Sequence, residues 1–275
     1  MPFRIRKGKA GAAPERHDSG TGDEDSVAQD IRCRRRGFRC RRTGRAGSAT
    51  GRAEAGMTRV VLISGSLRRG SVNSAALRAV RRIVESAPGA PEAVSLPIGR
   101  LPFYDGDVER AGASPAVRAA RVLVADADAL VVSTPSYNGA VPGVLKNALD
   151  WLSRPDGASP LTGRVVAVLS ASPSGRGAID AQPALMDLLD ACEAVVVEHP
   201  PVAIRRADRR LDEAGEMSDP EVLAALRGLV DATFEAVAIL ADQRCSASAR
   251  RGRPAPAQLR RAVSGAETRT SEVAL

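Results

Sequence analysis

The stretch Val60-Val-Leu-Ile-Ser64-Gly65-Ser66-Leu-Arg68-Arg69-Gly70-Ser71-Val-Asn73-Ser74 runs an unbroken apolar segment into a turn rich in glycine and serine, and its reading decides the fold. Val60–Ser64 shows no polar alternation, which marks a strand covered on both faces. Beyond the turn, Ala76, Leu77, Val80 and Val84 recur at helical spacing and predict a helix over Asn73–Ala87, ending near Pro88. Working outward, the same unit repeats. Glu92–Leu96 reads as a weaker strand and Pro115–Ala125 as a helix. Ala129–Ser133 is a second buried strand, closed by Pro135. A helix with Pro142 in its first turn runs to about Ser153. Val165–Ser170 is a strand, Ile179–Ala191 a helix and Ala194–Glu198 a fifth strand. Asp219-Pro220 predicts the cap and first turn of a last helix reaching about Asp242. This alternation implies a five-stranded parallel sheet with helices on both faces, because right-handed crossovers are the rule. The expected strand order is 2-1-3-4-5, with any ligand outside the carboxyl ends of strands 1, 3 and 4.

Composition agrees with that architecture. Aromatic residues make up only 3% of the chain, so the core must rest on Val, Leu, Ile and Ala. The net charge of +8 suggests nucleic acid until it is divided along the sequence. Residues 1–56 carry 14 Lys/Arg and 7 Asp/Glu, residues 243–275 carry 7 and 2, and residues 57–242 carry 19 and 23. The basic excess therefore lies in two flanks around a mildly acidic body. Both flanks lack apolar periodicity and are expected to be disordered. The Arg32–Arg45 stretch could touch RNA or phospholipid nonspecifically, but only Phe3 and Phe38 accompany the flank arginines. Met57 opens the periodic pattern directly, so residues 1–56 read as an over-extended start. Cys33, Cys40, Cys192 and Cys245 have no metal-ligand spacing, and the expected setting is reduced and cytoplasmic. No apolar run reaches the ~20 residues that span a bilayer. No metal site is expected.

Three loops carry the candidate chemistry. In the first, backbone N–H groups at a helix start are joined by the hydroxyls of Ser66, Ser71 and Ser74, the Asn73 amide and the Arg68 guanidinium. Gly70 is followed by Ser71 rather than lysine, and Gly65 by Ser66-Leu67, so neither the P-loop nor the dinucleotide fingerprint is present. The loop suits a terminal monophosphate; the plainer alternative is a serine-rich turn that caps a helix. In the second loop, Pro135 and Gly139 shape a tight turn that presents Tyr137 and Asn138. Tyr137 can lie along a planar ring while Asn138 bonds its polar edge, or it can simply pack the loop. Lys146 and Asp150 read as a helical ion pair. The third loop, Ser170-Ala-Ser172-Pro-Ser-Gly175-Arg-Gly177, lets backbone amides approach a ring edge.

Gly65-Ser-Leu-Arg68…Asn73, Leu101-Pro-Phe-Tyr-Asp-Gly-Asp107 and Pro135-Ser-Tyr-Asn138…Pro142-Gly-Val-Leu-Lys-Asn-Ala-Leu-Asp-Trp151 resemble the NADPH-dependent FMN reductase family of quinone, chromate and azo-dye reductases. The resemblance runs from about Met57 to Glu198. It implies a flavodoxin-like fold with noncovalent FMN and with NADPH or NADH as electron donor. Ser66, Arg68, Ser71, Asn73 and Ser74 would then hold the phosphate. Pro135, Ser136, Tyr137, Asn138 and Gly139 would line the ring, with Ser172 near its polar edge. The family commonly carries Pro-Glu-Tyr-Asn where this chain has Pro135-Ser136-Tyr137-Asn138. The expected partners are a small-molecule acceptor (a quinone, chromate, an azo compound or free flavin) and a second copy of the chain, as a homodimer or homotetramer. Leu101–Val108 and the helix of Trp151 are the expected contact. No side-chain acid–base pair is expected, since a flavin carries the redox chemistry itself. A flavodoxin-type carrier or a flavin-binding redox sensor is the competing reading.

Overall fold

The computed structural model describes residues 58–251. The two basic flanks, and the expectations of disorder and of an over-extended start attached to them, lie outside the described residues apart from 243–251. Strand β1 (Arg59–Ser64) sits beside β2 (Glu92–Ser95) on one side and β3 (Ala129–Thr134) on the other, and β4 (Val165–Ala171) follows β3. All these pairs are parallel, with Val60 opposite Ala129 and Ala129 opposite Val165. Every residue of β3 and β4 is buried, as continuous apolar runs require of central strands. Five helices of eight residues or more flank the sheet among the described residues, and they divide between its faces. On one face α1 (Val72–Glu85) and the final helix, α6 (Pro220–Arg251), pack together with Val80, Val84, Leu226 and Val230. On the other, α3 (Pro115–Ala125), α4 (Gly143–Leu152) and α5 (Ala181–Ala191) bury Val124, Leu145, Leu149, Leu185 and Leu189. The order β2-β1-β3-β4, continued by a fifth strand at Val195–Val196, is the expected one.

The fifth strand is a different matter. The expected strand Ala194–Glu198 shrinks to β5 (Val195–Val196), which pairs with Val165–Val166 at the start of β4. Pro200 and Pro201 have no N–H to donate, and the chain leaves the ladder there. It returns to the same edge as β6 (Val202–Ile204), paired with Leu169–Ala171. Smaller differences concern helix ends. Pro142 is the N-cap of α4 rather than part of its first turn, with extended ψ of 144°. Helix α6 runs past Asp242 to Arg251. Its start is as expected, with Asp219 Oδ1 accepting from the N–H groups of Glu221 and Val222 at 3.0 and 3.1 Å.

Between β2 and α3 the chain makes an excursion containing the short helix α2 (Gly106–Arg110), which the sequence pattern did not predict. It is strapped to α4. Trp151 is fully buried, donates from Nε1 to the Pro102 carbonyl at 2.8 Å, and meets the Tyr104 ring edge-on at 4.9 Å. Trp151 therefore packs inside its own chain and is unavailable as a subunit contact. Phe103, by contrast, is 89% exposed. Asn147 accepts from the Tyr104 N–H at 2.7 Å and donates to the Pro102 carbonyl at 2.9 Å. Glu109 completes the strap, accepting from Tyr104 Oη at 2.9 Å, Arg154 Nε at 3.0 Å and Arg121 Nη2 at 2.8 Å.

Burial of Glu109 works to raise its carboxyl, but hydrogen bonds from Arg154, Tyr104 and Arg121 outweigh it and hold the group below its ordinary value. A depressed carboxyl stabilises the fold above its unfolded pKa of about 4.3 and loses that contribution as pH falls through the lower folded value. Glu109→Gln should therefore cost about 2 kcal/mol at pH 7. Urea denaturation should show the gap between wild type and variant closing below about pH 4. A gap that persists unchanged at pH 3 would assign the loss to packing instead.

Candidate functional site

The chain leaves β1 toward β2 on one side, while β3 lies on the other, so their carboxyl ends open a crevice. Gly65 makes that crevice narrow. Its N–H donates to the Ser133 carbonyl at 2.8 Å. A Cβ there would lie 3.1 Å from Pro135 Cδ and 3.2 Å from both Leu145 Cδ2 and the Ser133 oxygen. Only glycine lets the first and second loops depart side by side without displacement.

In the first loop Ser71 caps α1, its Oγ accepting from the N–H groups of Asn73 and Ser74 at 3.2 and 3.4 Å. Ser66 Oγ accepts from the Arg68 N–H at 3.4 Å, and Ser74 Oγ lies 3.0 Å from Ser64 Oγ. Each hydroxyl that accepts here keeps a proton for a further acceptor. Arg68 is exposed, and its guanidinium bonds only the Gly70 carbonyl, at 3.4 Å, among the described residues. The backbone N–H groups of Leu67, Arg69 and Gly70 donate to no protein atom among the described residues. Open N–H groups, hydroxyls and one guanidinium at the start of a fourteen-residue helix form an anion cradle.

Asn73 does something other than the sequence suggested. It is 2% exposed, and both ends of its amide are engaged by the protein. Ser133 Oγ donates to its Oδ1 at 2.8 Å, and its Nδ2 donates to the Ala171 carbonyl at 3.0 Å. The side chain thus ties the start of α1 to the carboxyl ends of β3 and β4, and positions the cradle rather than lining it.

The second loop is a two-residue reverse turn. Tyr137 and Ala140 exchange N–H···O bonds of 3.0 and 3.1 Å. Asn138 and Gly139 between them have φ of 55° and 79°, the paired positive values for which Asn-Gly is the preferred sequence. The turn leaves Tyr137 half exposed. The N–H groups of Ser136, Asn138 and Gly139 have no protein acceptor among the described residues. Pro135 is buried beneath this platform. On the adjoining helix the Lys146–Asp150 ion pair is present at 2.6 Å. Ser136 Oγ donates to Asp180 Oδ2 at 2.7 Å, linking the second loop to the start of α5. That bond, together with the backbone N–H of Asp180, holds its carboxyl below the ordinary value. Sequence reading missed Asp180, which lies 44 residues from Ser136. The carboxylate that position 136 lacks stands one hydrogen bond away.

The third loop is pinned rather than open. Ser172 donates its N–H to the Ile204 carbonyl at 3.1 Å, and its Oγ accepts from the Ser174 N–H at 3.1 Å. Gly177 has φ of +63°, and a Cβ would sit 2.9 Å from the carbonyl carbons of Ala203 and Ile204. Most of the backbone amides expected to face a ring edge are therefore committed to β6 and to the loop itself. The Ser172 hydroxyl keeps its proton. Among the described residues no cluster of three or more His, Cys, Asp or Glu could hold a metal, and no helix is long and apolar enough to cross a membrane.

Comparison with known proteins gives a consistent result. The family model for NADPH-dependent FMN reductases matches residues 58–209. An NAD(P)H-dependent FMN reductase of Pseudomonas aeruginosa is 40% identical over 161 residues, covering 58% of this chain and 85% of that protein. A quinone reductase of Escherichia coli K12 is 38% identical over 181 residues, covering 64% of this chain and 94% of its own length. Among solved structures, the flavoenzyme NAD(P)H:(acceptor) oxidoreductase FerB from Paracoccus denitrificans aligns with a TM-score of 0.61 and 31% identity. That alignment covers 66% of this chain and 97% of FerB.

Asn73 and Ser71 make separable predictions. Asn73→Ala removes two buried hydrogen bonds that span three elements and should cost about 2–3 kcal/mol in urea denaturation. Ser71→Ala removes only a cap and should cost about 1 kcal/mol. Equal losses would mean that Asn73 is not the strut described.

Proposed function

The chain belongs to the NADPH-dependent FMN reductase family, and from that premise we propose that it is an FMN-loaded oxidoreductase carrying electrons from NAD(P)H to a quinone. The observation that supports this reading is the convergence of the three loops on one crevice, with an anion cradle at one end and a half-exposed tyrosine platform beside it. The N–H groups of Leu67, Arg69 and Gly70 and the hydroxyls of Ser66, Ser71 and Ser74 would hold the monophosphate. The Arg68 guanidinium balances its charge. Pro135, Ser136, Tyr137, Asn138 and Gly139 would line the ring, and the N–H groups of the second loop and the Ser172 hydroxyl would be its polar partners. When bound, FMN supplies the two-electron chemistry between nicotinamide and acceptor.

The protein's own part is to bind, orient and exclude water. Asn73 fixes the separation of the three loops, so the cradle and platform are rigid before any ligand arrives. The positive φ values at Asn138 and Gly139 hold Tyr137 outward at the rim. We assign donor and acceptor to the same face of the platform in turn. A quinone is the acceptor named for the Escherichia coli relative, and it is flat and apolar enough to lie against Tyr137. Leu67 (62% exposed), Phe103 (89%) and Tyr137 (50%) all follow carboxyl ends of strands. A second copy of the chain would cover such an apolar rim and close the site.

Purified full-length protein should show flavin absorption that bleaches on anaerobic NADPH and recovers with a benzoquinone. Bands that NADPH leaves untouched would favour a carrier or sensor, and a colourless protein that FMN neither binds nor stabilises would overturn the reading. Double-reciprocal plots with donor and quinone varied should be parallel; intersecting lines would refute turn-taking at one face. Light scattering should give at least a dimer at micromolar concentration, and Phe103→Glu should weaken it.

A further inference from the structure

The backbone of residues 136–140 is bonded only to itself among the described residues, through the exchange between Tyr137 and Ala140. One hydrogen bond carries this turn to another element among the described residues, the 2.7 Å contact from Ser136 Oγ to Asp180 Oδ2. The N–H groups of Ser136, Asn138 and Gly139 stay open beside it. Whatever fixes Ser136 therefore fixes where those three donors point.

A second observation comes from the other end of that bond. Asp180 is the N-cap residue of α5, a position where aspartate ordinarily accepts from N–H groups of its own first turn. It makes no such bond. Its backbone is already helical, with φ of −65° and ψ of −21°, and the preceding turn takes the open donors. The Ala181 N–H goes to the Ala178 carbonyl at 3.1 Å, and the Gln182 N–H to the Ile179 carbonyl at 3.2 Å. The carboxylate is thus released from capping and reaches across 44 residues to the second loop. Its base is rigid. Gln182, 4% exposed, donates from Nε2 to Ser170 Oγ at 2.8 Å and to the Val202 carbonyl at 2.9 Å. Those bonds root the start of α5 on β4 and β6, and Ser170 Oγ passes its own proton to the Gly177 carbonyl at 2.7 Å. Arg176 adds its positive charge to the same Asp180 carboxylate from the third loop.

We infer that Asp180 is the positioning residue of the second loop. Through Ser136 it holds the turn, and with it Tyr137 and the three open N–H groups, in the place that receives the flavin ring. This rests on the reading above that a flavin ring lies on that turn. The bond acts on ring binding, whereas the first loop acts on the phosphate, so the two contributions are separable. Riboflavin and FMN share the ring and differ only in the terminal phosphate.

The test measures dissociation constants of riboflavin and FMN on the FMN-free full-length chain, by quenching of flavin fluorescence. Asp180→Ala should weaken both ligands by a similar factor, roughly three- to tenfold, the worth of one hydrogen bond. Arg68→Gln should weaken FMN and spare riboflavin. The exchanged pair Ser136→Asp/Asp180→Ser puts the same atoms across the same gap with donor and acceptor reversed. It should bind both ligands within about twofold of wild type. Losses confined to FMN, unchanged binding in Asp180→Ala, or an exchanged pair no better than Asp180→Ala would each overturn the inference. Hydrogen exchange supplies a readout without flavin. The Tyr137 and Ala140 amides should exchange faster in Asp180→Ala, while those of β3 and β4 keep their wild-type rates. No acceleration in the turn, or equal acceleration throughout, would assign Asp180 to another role and overturn the inference as well. A wild type that binds neither flavin would sink the functional reading, while the exchange comparison would still decide this one.

Discussion

The buried amide of Asn73 is the constraint on which the site depends. A parallel sheet gives each strand its own loop, and nothing in the ladder itself fixes how those loops stand relative to one another beyond the last hydrogen-bonded pair. Asn73 supplies that missing relation, receiving a proton from Ser133 at the end of β3 and giving one to the Ala171 carbonyl at the end of β4. Water cannot substitute for either partner at 2% exposure, so the amide must be satisfied by these two groups or remain unpaired at considerable cost. Gly65 acts in the same direction from the other side, since the absence of a side chain there lets Pro135 and Leu145 close on the first loop. A polar strut and a missing methyl group together determine the width of the crevice.

The apolar runs at Val60, Ala129 and Val165 carried the sheet in plain view, because a strand buried on both faces cannot hide its composition. The Asn138-Gly139 turn was equally legible, since few other pairs accept two successive positive φ values. The features that escaped are those made by partners far apart in sequence. Asp180 reaches Ser136 over 44 residues, and Glu109 gathers Arg121, Arg154 and Tyr104 from three separate elements. Asn73 was picked out by its position beside serines, but its role was misjudged for the same reason. Local pattern says where an amide stands in the chain, while only the fold says what is already bonded to it. Strand β6 was missed because three residues after two prolines carry too short a pattern to recognise.

The same contrast separates scaffold from rim. Trp151, Asn147 and Glu109 bind the excursion after β2 firmly to α4, so Phe103 is presented from a rigid base. The third loop is likewise laced to β6 through Ser172, Ser174 and Gly177. Rigidity of this kind lowers the entropy lost when a ligand is ordered against the loops, and it lets few residues determine affinity. It also explains how the chain tolerates the left-handed backbone of Arg206, since hydrogen bonds on either side of that residue hold it in place.

The break at Pro200 and Pro201 has a consequence for how molecules of this chain behave toward one another. A parallel sheet ends in an edge whose unpaired amides and carbonyls invite a strand from another molecule. Here that edge is cut into pieces of two and three residues, separated by five residues of which two, Pro200 and Pro201, have no amide proton. No neighbouring chain can zip along it for more than a step or two. The crossing of those prolines thus blunts this edge against strand addition, while the opposite edge is the four-residue β2.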